Sequence, residues 1–354
     1  SQSTYRQWFT GFLFEKYIDK CFEETNDDGY TTMEPISFDY RVSNLCNFKC
    51  RMCGEPLSST WEAEKRKHDL WTPEAQPFMV PENKKVIETF QKEVVEEEFW
   101  DAIKRGIVEE IYWVGGEPLM YDIHWKSMDR LAQDDNLKKV HLRYNSNLSR
   151  VRFGKHYLYD WLPQAKDWTM CASIDGTGEI GEFIRTGLNW QEWDQNFREG
   201  VALPGGNDKM LMDLTLTGPG MFDLKNFFDY ALELDVKIET KRMFAFHSDI
   251  VMSAMAWPRH ILNRIIDENL EYIRPRATHK QQTLINELEN MKATPNFEEQ
   301  WPDEHEDSFF NGRNWQNKIA EIRPTEKLRI EDIYAKDSEL FDWWMRPDRK
   351  HNQR

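Results

Sequence analysis

Three of the chain's five cysteines, Cys46, Cys50 and Cys53, stand within the stretch SNLCNFKCRMCGEP at 43 to 56, separated by three residues and then by two. The stretch directly follows a strand-like run, so the three thiols are expected on a loop that wraps around a metal centre. Thiolate ligands select zinc, copper(I) or iron–sulfur clusters. Zinc calls for a closed tetrahedron, and with no fourth cysteine nearby His68 is the nearest candidate for the missing ligand. A 4Fe-4S cluster usually takes four cysteines; held by three, it keeps one iron open, as a catalytic site needs. Both readings stand on these residues alone. Cys21 and Cys171 lie apart from the group and read as small buried hydrophobes.

The loop needs a scaffold, and the chain alternates strand-like with helix-like segments. Six β-rich runs occur at 37–45, 109–116, 139–147, 167–175, 209–217 and 236–244. Helical patterns lie between them, one starting at Ser59, where Ser59 and Glu62 have capping-box spacing. That order predicts an α/β domain with a parallel sheet. Within the third run Val140, Leu142 and Tyr144 share one face, and His141, Arg143, Asn145 and Asn147 the other; in the fifth, Leu214 and Leu216 oppose Asp213, Thr215 and Thr217. A parallel sheet covered on both faces reads as continuous apolar runs. One polar face instead predicts a curved sheet with helices outside and a polar lumen, a partial (β/α)6 TIM-like barrel; an antiparallel sheet with one wet face is the other reading.

Helical spacing of Trp8, Phe9, Phe12, Tyr17, Ile18 and Cys21 predicts an N-terminal helix over 5–23. Beyond about residue 250 long charged helices follow, joined by the Pro- and acid-rich ATPNFEEQWPDEHEDS, with a loose end at RPDRKHNQR. The expected division is an N-terminal helical segment at 1–36, the barrel at 37–250 and a helical C-terminal extension at 251–354. The 354 residues, 40% hydrophobic and 14% aromatic, suffice for a sizeable core. A formal charge of -16 repels phosphate backbones and anionic lipid, so neither nucleic acid nor a membrane is an expected partner. WFTGFLF at 8 to 14 is too short to span a bilayer and lacks the layout of a secretory signal. A cytoplasmic location follows as the expectation, where clustered thiols more often hold metal than disulfides.

CxxxCxxC after the first strand, followed by Gly115-Gly116-Glu117-Pro118 after the second, resembles the radical S-adenosylmethionine (SAM) superfamily. The resemblance continues through SIDG (173 to 176) and IRTG (184 to 187) and covers roughly residues 37 to 245. It is strongest to the peptide-modifying members whose C-terminal regions often carry SPASM or twitch extensions. It implies a 4Fe-4S cluster on Cys46, Cys50 and Cys53 whose open iron binds SAM. An electron, from a donor such as flavodoxin or ferredoxin, then cleaves the sulfonium to a 5'-deoxyadenosyl radical that takes hydrogen from a substrate.

Carried over by motif, the Gly115 to Pro118 stretch is cofactor-binding, with Glu117 and the glycine backbone meeting the SAM amino group. Ser173 and Asp175 are placed for ribose hydroxyls and Arg185 for the SAM carboxylate; an ordinary turn at Asp175 and a surface ion pair at Arg185 are the alternatives. Met52 stands where the family often has an aromatic residue, beside adenine. His141, Arg143, Asn145, Asp213 and Glu239 are the candidates for contact with a polar substrate, a peptide side chain or a small metabolite. Cys171 has the lumen-facing parity of Ser173, so its thiol could return a hydrogen atom to a substrate radical, or it is simply a buried barrel cysteine about 7 Å deeper. No cysteine follows it, so the C-terminal region cannot supply ligands for an auxiliary cluster. Asp122-Ile-His124 resembles the start of a cobalamin-binding motif without its glycine or its Rossmann-like domain and reads as a loop.

Overall fold

Six parallel strands form one sheet: β1 (Ser37–Tyr40), β2 (Glu110–Trp113), β3 (His141–Ser146), β4 (Asp167–Ser173), β5 (Met210–Leu216) and β6 (Lys237–Arg242). All five pairings are parallel and neighbours follow chain order. This is a computed structural model; it describes residues 11, 14–41, 43–72, 76–243 and 247–348. Each of the six expected runs contains one strand. The outermost strands β1 and β6 stay unpaired with each other, leaving an open (β/α)6 arrangement.

The strand alternation sorts as the side-chain period of two requires. Ile111, Trp113, Leu142, Tyr144, Met170, Met212 and Ile238 are fully buried on the outer face, packed with Phe99, Ile103, Met128, Trp193, Phe197, Phe227 and Phe228 from the connecting helices. Helices Glu96–Arg105, Asp122–Gln133, Trp190–Val201 and Leu224–Glu233 supply those residues. Beyond β6 the apolar core continues into helices Arg259–Ile273, Gln282–Ala293 and Pro302–Ile322 through Leu262, Leu288 and Phe309.

Several local expectations change. The helix begins at Ser59, but its cap is Ser58, whose Oγ accepts from Trp61 N; Glu62 bonds to Asn44, Arg66 and Lys84 rather than reaching back to the cap. The acid-rich stretch is only partly a joint. Pro302 opens a 21-residue helix with Asp303 and Glu304 in its first turn, where a proline loses no bond and acids meet the positive end of the helix dipole.

Asp122-Ile-His124 is the first turn of helix Asp122–Gln133, and His124 is buried between Trp113 and Trp125 with its Nε2 3.0 Å from Tyr144 Oη. Cys21 is exposed, not buried. Of the N-terminal helix, Glu15–Tyr17 forms a 3-10 turn and Ile18–Glu24 an α-helix, while residues 5–10 and 12–13 lie outside the described residues, as do 349–354.

Candidate functional site

The cysteine loop leaves β1 and is held by the start of the next helix. Ser59 N donates to Asn44 O at 2.7 Å, and its Oγ both accepts from Cys46 N and donates to Cys46 O, each at 3.2 Å. Ser58 and Thr60 donate their hydroxyls to Phe48 O at 2.6 and 2.8 Å, and the Trp61 indole donates to Cys50 O at 2.8 Å. From the opposite side Lys49 N donates to Thr186 O and Arg51 N to Ile184 O. Four consecutive residues, Ser58 to Trp61, thus fix the loop. Sequence reasoning missed them, although a run of hydroxyls opening a helix straight after the cysteines is a readable signal.

Burial pushes the Cys46 and Cys53 thiols up to about 12, and Cys50 in the same direction. Arg185 beside Cys50 only partly offsets that burial, so the thiols keep their protons until a bound metal takes the protons' place. Donors are already aimed at sulfur: Phe48 N lies 3.4 Å and Asn147 Nδ2 3.8 Å from Cys46 Sγ, and Arg185 Nη1 3.9 Å from Cys50 Sγ. Three thiolates of this kind fit a cluster that keeps one iron open.

His68 does not join them. It terminates helix Ser59–Lys67, whose other end touches the loop, so about 13 Å of helix separates it from Cys46. The tetrahedral zinc reading therefore loses its fourth ligand.

A cavity of about 300 Å³ opens above the sheet, bounded by Cys46, Cys50 and Cys53 on one side and by Asn145, Ser173, Asp213, Thr215 and Lys241 on the other. Residues from the ends of β2 through β6 line this one space, so the sheet curls around it, and the site lies at the strands' C-terminal ends, as in parallel barrels. Met52, Gly115, Gly116 and Arg185 also line it. In addition Gly116 lets the loop approach: a Cβ there would sit 2.4 Å from Leu45 O. Gly187, at φ +107°, does the same for the backbone of Asn47 and Phe48.

Other expected residues stand elsewhere. Glu117 and Pro118 are buried and not on the wall. The Glu117 carboxylate accepts from Leu119 N at 3.0 Å, Ser146 Oγ at 2.7 Å and Asn147 N at 2.6 Å, bracing the end of β2 against the end of β3. Burial pushes this carboxyl up to about 7 despite those donors.

Asp175 is likewise enclosed: Arg185 Nε and Nη2 lie 2.7 and 3.1 Å from its two oxygens, and Thr215 N donates to it at 2.9 Å. Its role here is to orient Arg185, with no oxygen facing the cavity. Ser173 Oγ reaches Asp213 at 3.5 Å, and Lys241 Nζ pairs with Asp213 at 2.5 Å.

Of the five substrate candidates the structure brings Asn145 and Asp213 to the wall. His141 starts β3, four residues and about 13 Å below Asn145. Arg143 pairs with Glu110 lower in the lumen, and Glu239 with Lys237. Cys171 sits in register with Asn145 and Leu211, two residues below Ser173, and is not on the wall.

Residues 40–214 match the family model of the radical SAM superfamily. No curated protein matches the sequence. Among solved structures the chain is similar to Streptococcus suis SuiB bound to S-adenosylmethionine (12% identity, TM-score 0.44, covering 79% of this chain and 56% of that one). It is also similar to SuiB bound to the precursor peptide SuiA (12%, 0.43, 78% and 53%). The chain thus spans about half the length of the solved structures it matches. The superfamily implies a 4Fe-4S cluster and SAM, and the buried thiols, the sulfur-directed donors and the open cavity beside them fit both. From β1 to within β5 the chain carries a radical SAM superfamily domain, at residues 40–214.

Proposed function

We propose that the protein is a radical SAM enzyme acting on a polar substrate, a peptide or protein side chain. The observation that carries the reading is the shared cavity, with three thiols on one wall, one buried and two half-buried, and hydrogen-bonding and charged groups on the other. When bound, the cluster and SAM supply reductive cleavage of a sulfonium and a 5'-deoxyadenosyl radical for hydrogen abstraction. Cys46, Cys50 and Cys53 hold the cluster, and the absence of a fourth cysteine leaves a ligand position for SAM. Arg185, kept cationic and aimed by Asp175, attracts an anionic group beside Cys50. Gly115 and Gly116 offer backbone without side chains at the same wall. Phe48, Met52, Leu57 and Val114 exclude water around the thiols.

Asn145, Asp213, Thr215 and Lys241 form the polar wall that would orient the substrate. The Lys241 side chain is 52% exposed and its Asp213 partner 12%, so this pair can exchange partners with a charged or amide-bearing group. An external one-electron donor completes the system, and flavodoxin or ferredoxin has the required chemistry.

The test is anaerobic reconstitution followed by reduction with SAM and candidate peptides. About four irons per chain and release of 5'-deoxyadenosine, with deuterium transferred from labelled peptide, are expected. Colourless, iron-free protein after reconstitution would sink the reading.

A further inference from the structure

The cysteine loop is gripped from behind by the C-terminal region. Arg51, between two of the cysteines and only 2% exposed, donates to Gln316 Oε1 at 2.8 Å and to Phe183 O at 3.1 Å, and pairs with Glu326. Arg323, also buried, donates to Glu64 Oε2 through Nε at 3.0 Å and Nη2 at 2.6 Å, and through Nη1 to Lys49 O at 3.3 Å and Thr186 Oγ1 at 3.0 Å. Thr186, in the segment that carries Arg185, donates its hydroxyl to Glu326 at 2.6 Å. The Arg323 guanidinium lies 4.3 Å over the Trp61 ring, whose indole holds Cys50 O. Lys49 completes the group by pairing with Glu64.

Two arginines buried this deeply are costly to keep charged unless each is paired and hydrogen-bonded. Their partners converge on residues 49–51 and 186. A general core brace would not need to reach the backbone between ligands. The groups behind a metal ligand orient it and tune the metal it holds.

We propose that the turn Arg323–Glu326 is a clasp on the cluster loop. Arg51, Arg323 and Glu326 act as positioning residues: they fix Cys50 and Cys53 for the cluster and set its reduction potential through buried charge. The C-terminal region, which has no cysteine to offer, contributes to the cofactor site in this way. The inference rests on the radical SAM reading and deepens it.

The experiment uses the full reconstituted chain. Iron release to a chelator and the cluster's midpoint potential are measured in wild type, Arg323→Met and Glu326→Gln, the last keeping its hydrogen-bonding shape while losing its charge. Arg323→Met should retain iron roughly 10–100-fold less well, the usual cost of removing support behind a metal ligand. Removing a positive charge lowers the potential of a nearby cluster and removing a negative one raises it, so the two variants should shift in opposite directions. A merely structural role would not reverse the sign. Iron-loaded wild type with unchanged release in Arg323→Met, or with potentials that stay put or move together, overturns the clasp alone. Iron-free wild type overturns the radical SAM reading and the clasp with it.

Discussion

At the base of the lumen Arg143 donates to Glu110 at 2.9 Å and lies 4.3 Å over the Tyr112 ring, while His141 stands 3.5 Å from Asp167. At the mouth Arg185, which follows helix Gly178–Ile184, holds Asp175 just beyond β4, and Lys241 of β6 holds Asp213 of β5 beside three thiols and an open cavity. Both ends are polar every second residue, so the alternation itself cannot tell them apart. Height does. Charges at the base are neutralised by neighbours one strand away and fill the lumen, whereas those at the mouth border space that another molecule can enter. A polar lumen face therefore marks a barrel, and only its upper part, from about mid-strand in β5, borders a site.

The largest effect that separates the two ends is loss of metal. Cys50→Ala should abolish bound iron after reconstitution while leaving a folded chain. Arg143→Met should keep full iron but melt earlier, because Glu110, only 1% exposed, loses its cation, a loss of about 3–5 kcal/mol for a buried pair. Iron analysis with thermal melts reads both, and a base variant that lost iron while keeping its melting temperature would erase the distinction.

Within the mouth, Arg185→Met should be the costly change. It strands Asp175, 0% exposed at its side chain, with one backbone donor left, for about 3–5 kcal/mol. Lys241→Met removes a half-exposed charge and should cost less than about 1 kcal/mol while still weakening substrate-dependent 5'-deoxyadenosine formation. Denaturant unfolding beside the cleavage assay distinguishes them; equal destabilisation would mean that burial does not grade these pairs.

How far the sequence carries can be argued from the same residues. The six strands are legible because their period of two survives in short runs such as HLRYNS, and the thiols because three cysteines in eight residues have few uses. Asn145 and Asp213 have a lumen parity that the sequence shows, although Asp213 lies in the middle of β5 and nothing local announces that the cavity reaches it. His141 falls short of the wall because parity carries no depth, whereas Glu239, in register with Asp213, pairs with Lys237 instead. Glu117 shows another limit: a motif reports which residue stands there, not that its carboxylate is taken up by Ser146 Oγ and Asn147 N about thirty residues downstream. The contacts of Arg51 with Gln316 and Glu326 span more than 260 residues, and no local pattern announces them.

The two histidines facing β3 sharpen the comparison by acid. His124, packed on the strand's apolar side, is held down to about 3 by burial alone. His141, on the polar side, is also lowered by burial, but the Asp167 carboxylate pulls it back up. A histidine whose folded pKa lies below its unfolded value stabilises the fold above about 6.5 and withdraws that stability as pH falls towards the folded value. For His124 the loss by pH 4 is roughly 3 kcal/mol. Urea unfolding of wild type and His124→Gln at pH 7.5 and pH 4 should show the variant losing less stability over that interval, and His141→Gln changing the interval by a smaller amount. If His124→Gln instead leaves the interval unchanged, the imidazole takes up its proton in the fold as readily as in the unfolded chain. The Tyr144 hydroxyl 3.0 Å away would then accept a hydrogen bond from the imidazolium N–H, and the apolar side of β3 would tolerate a cation as readily as the lumen does.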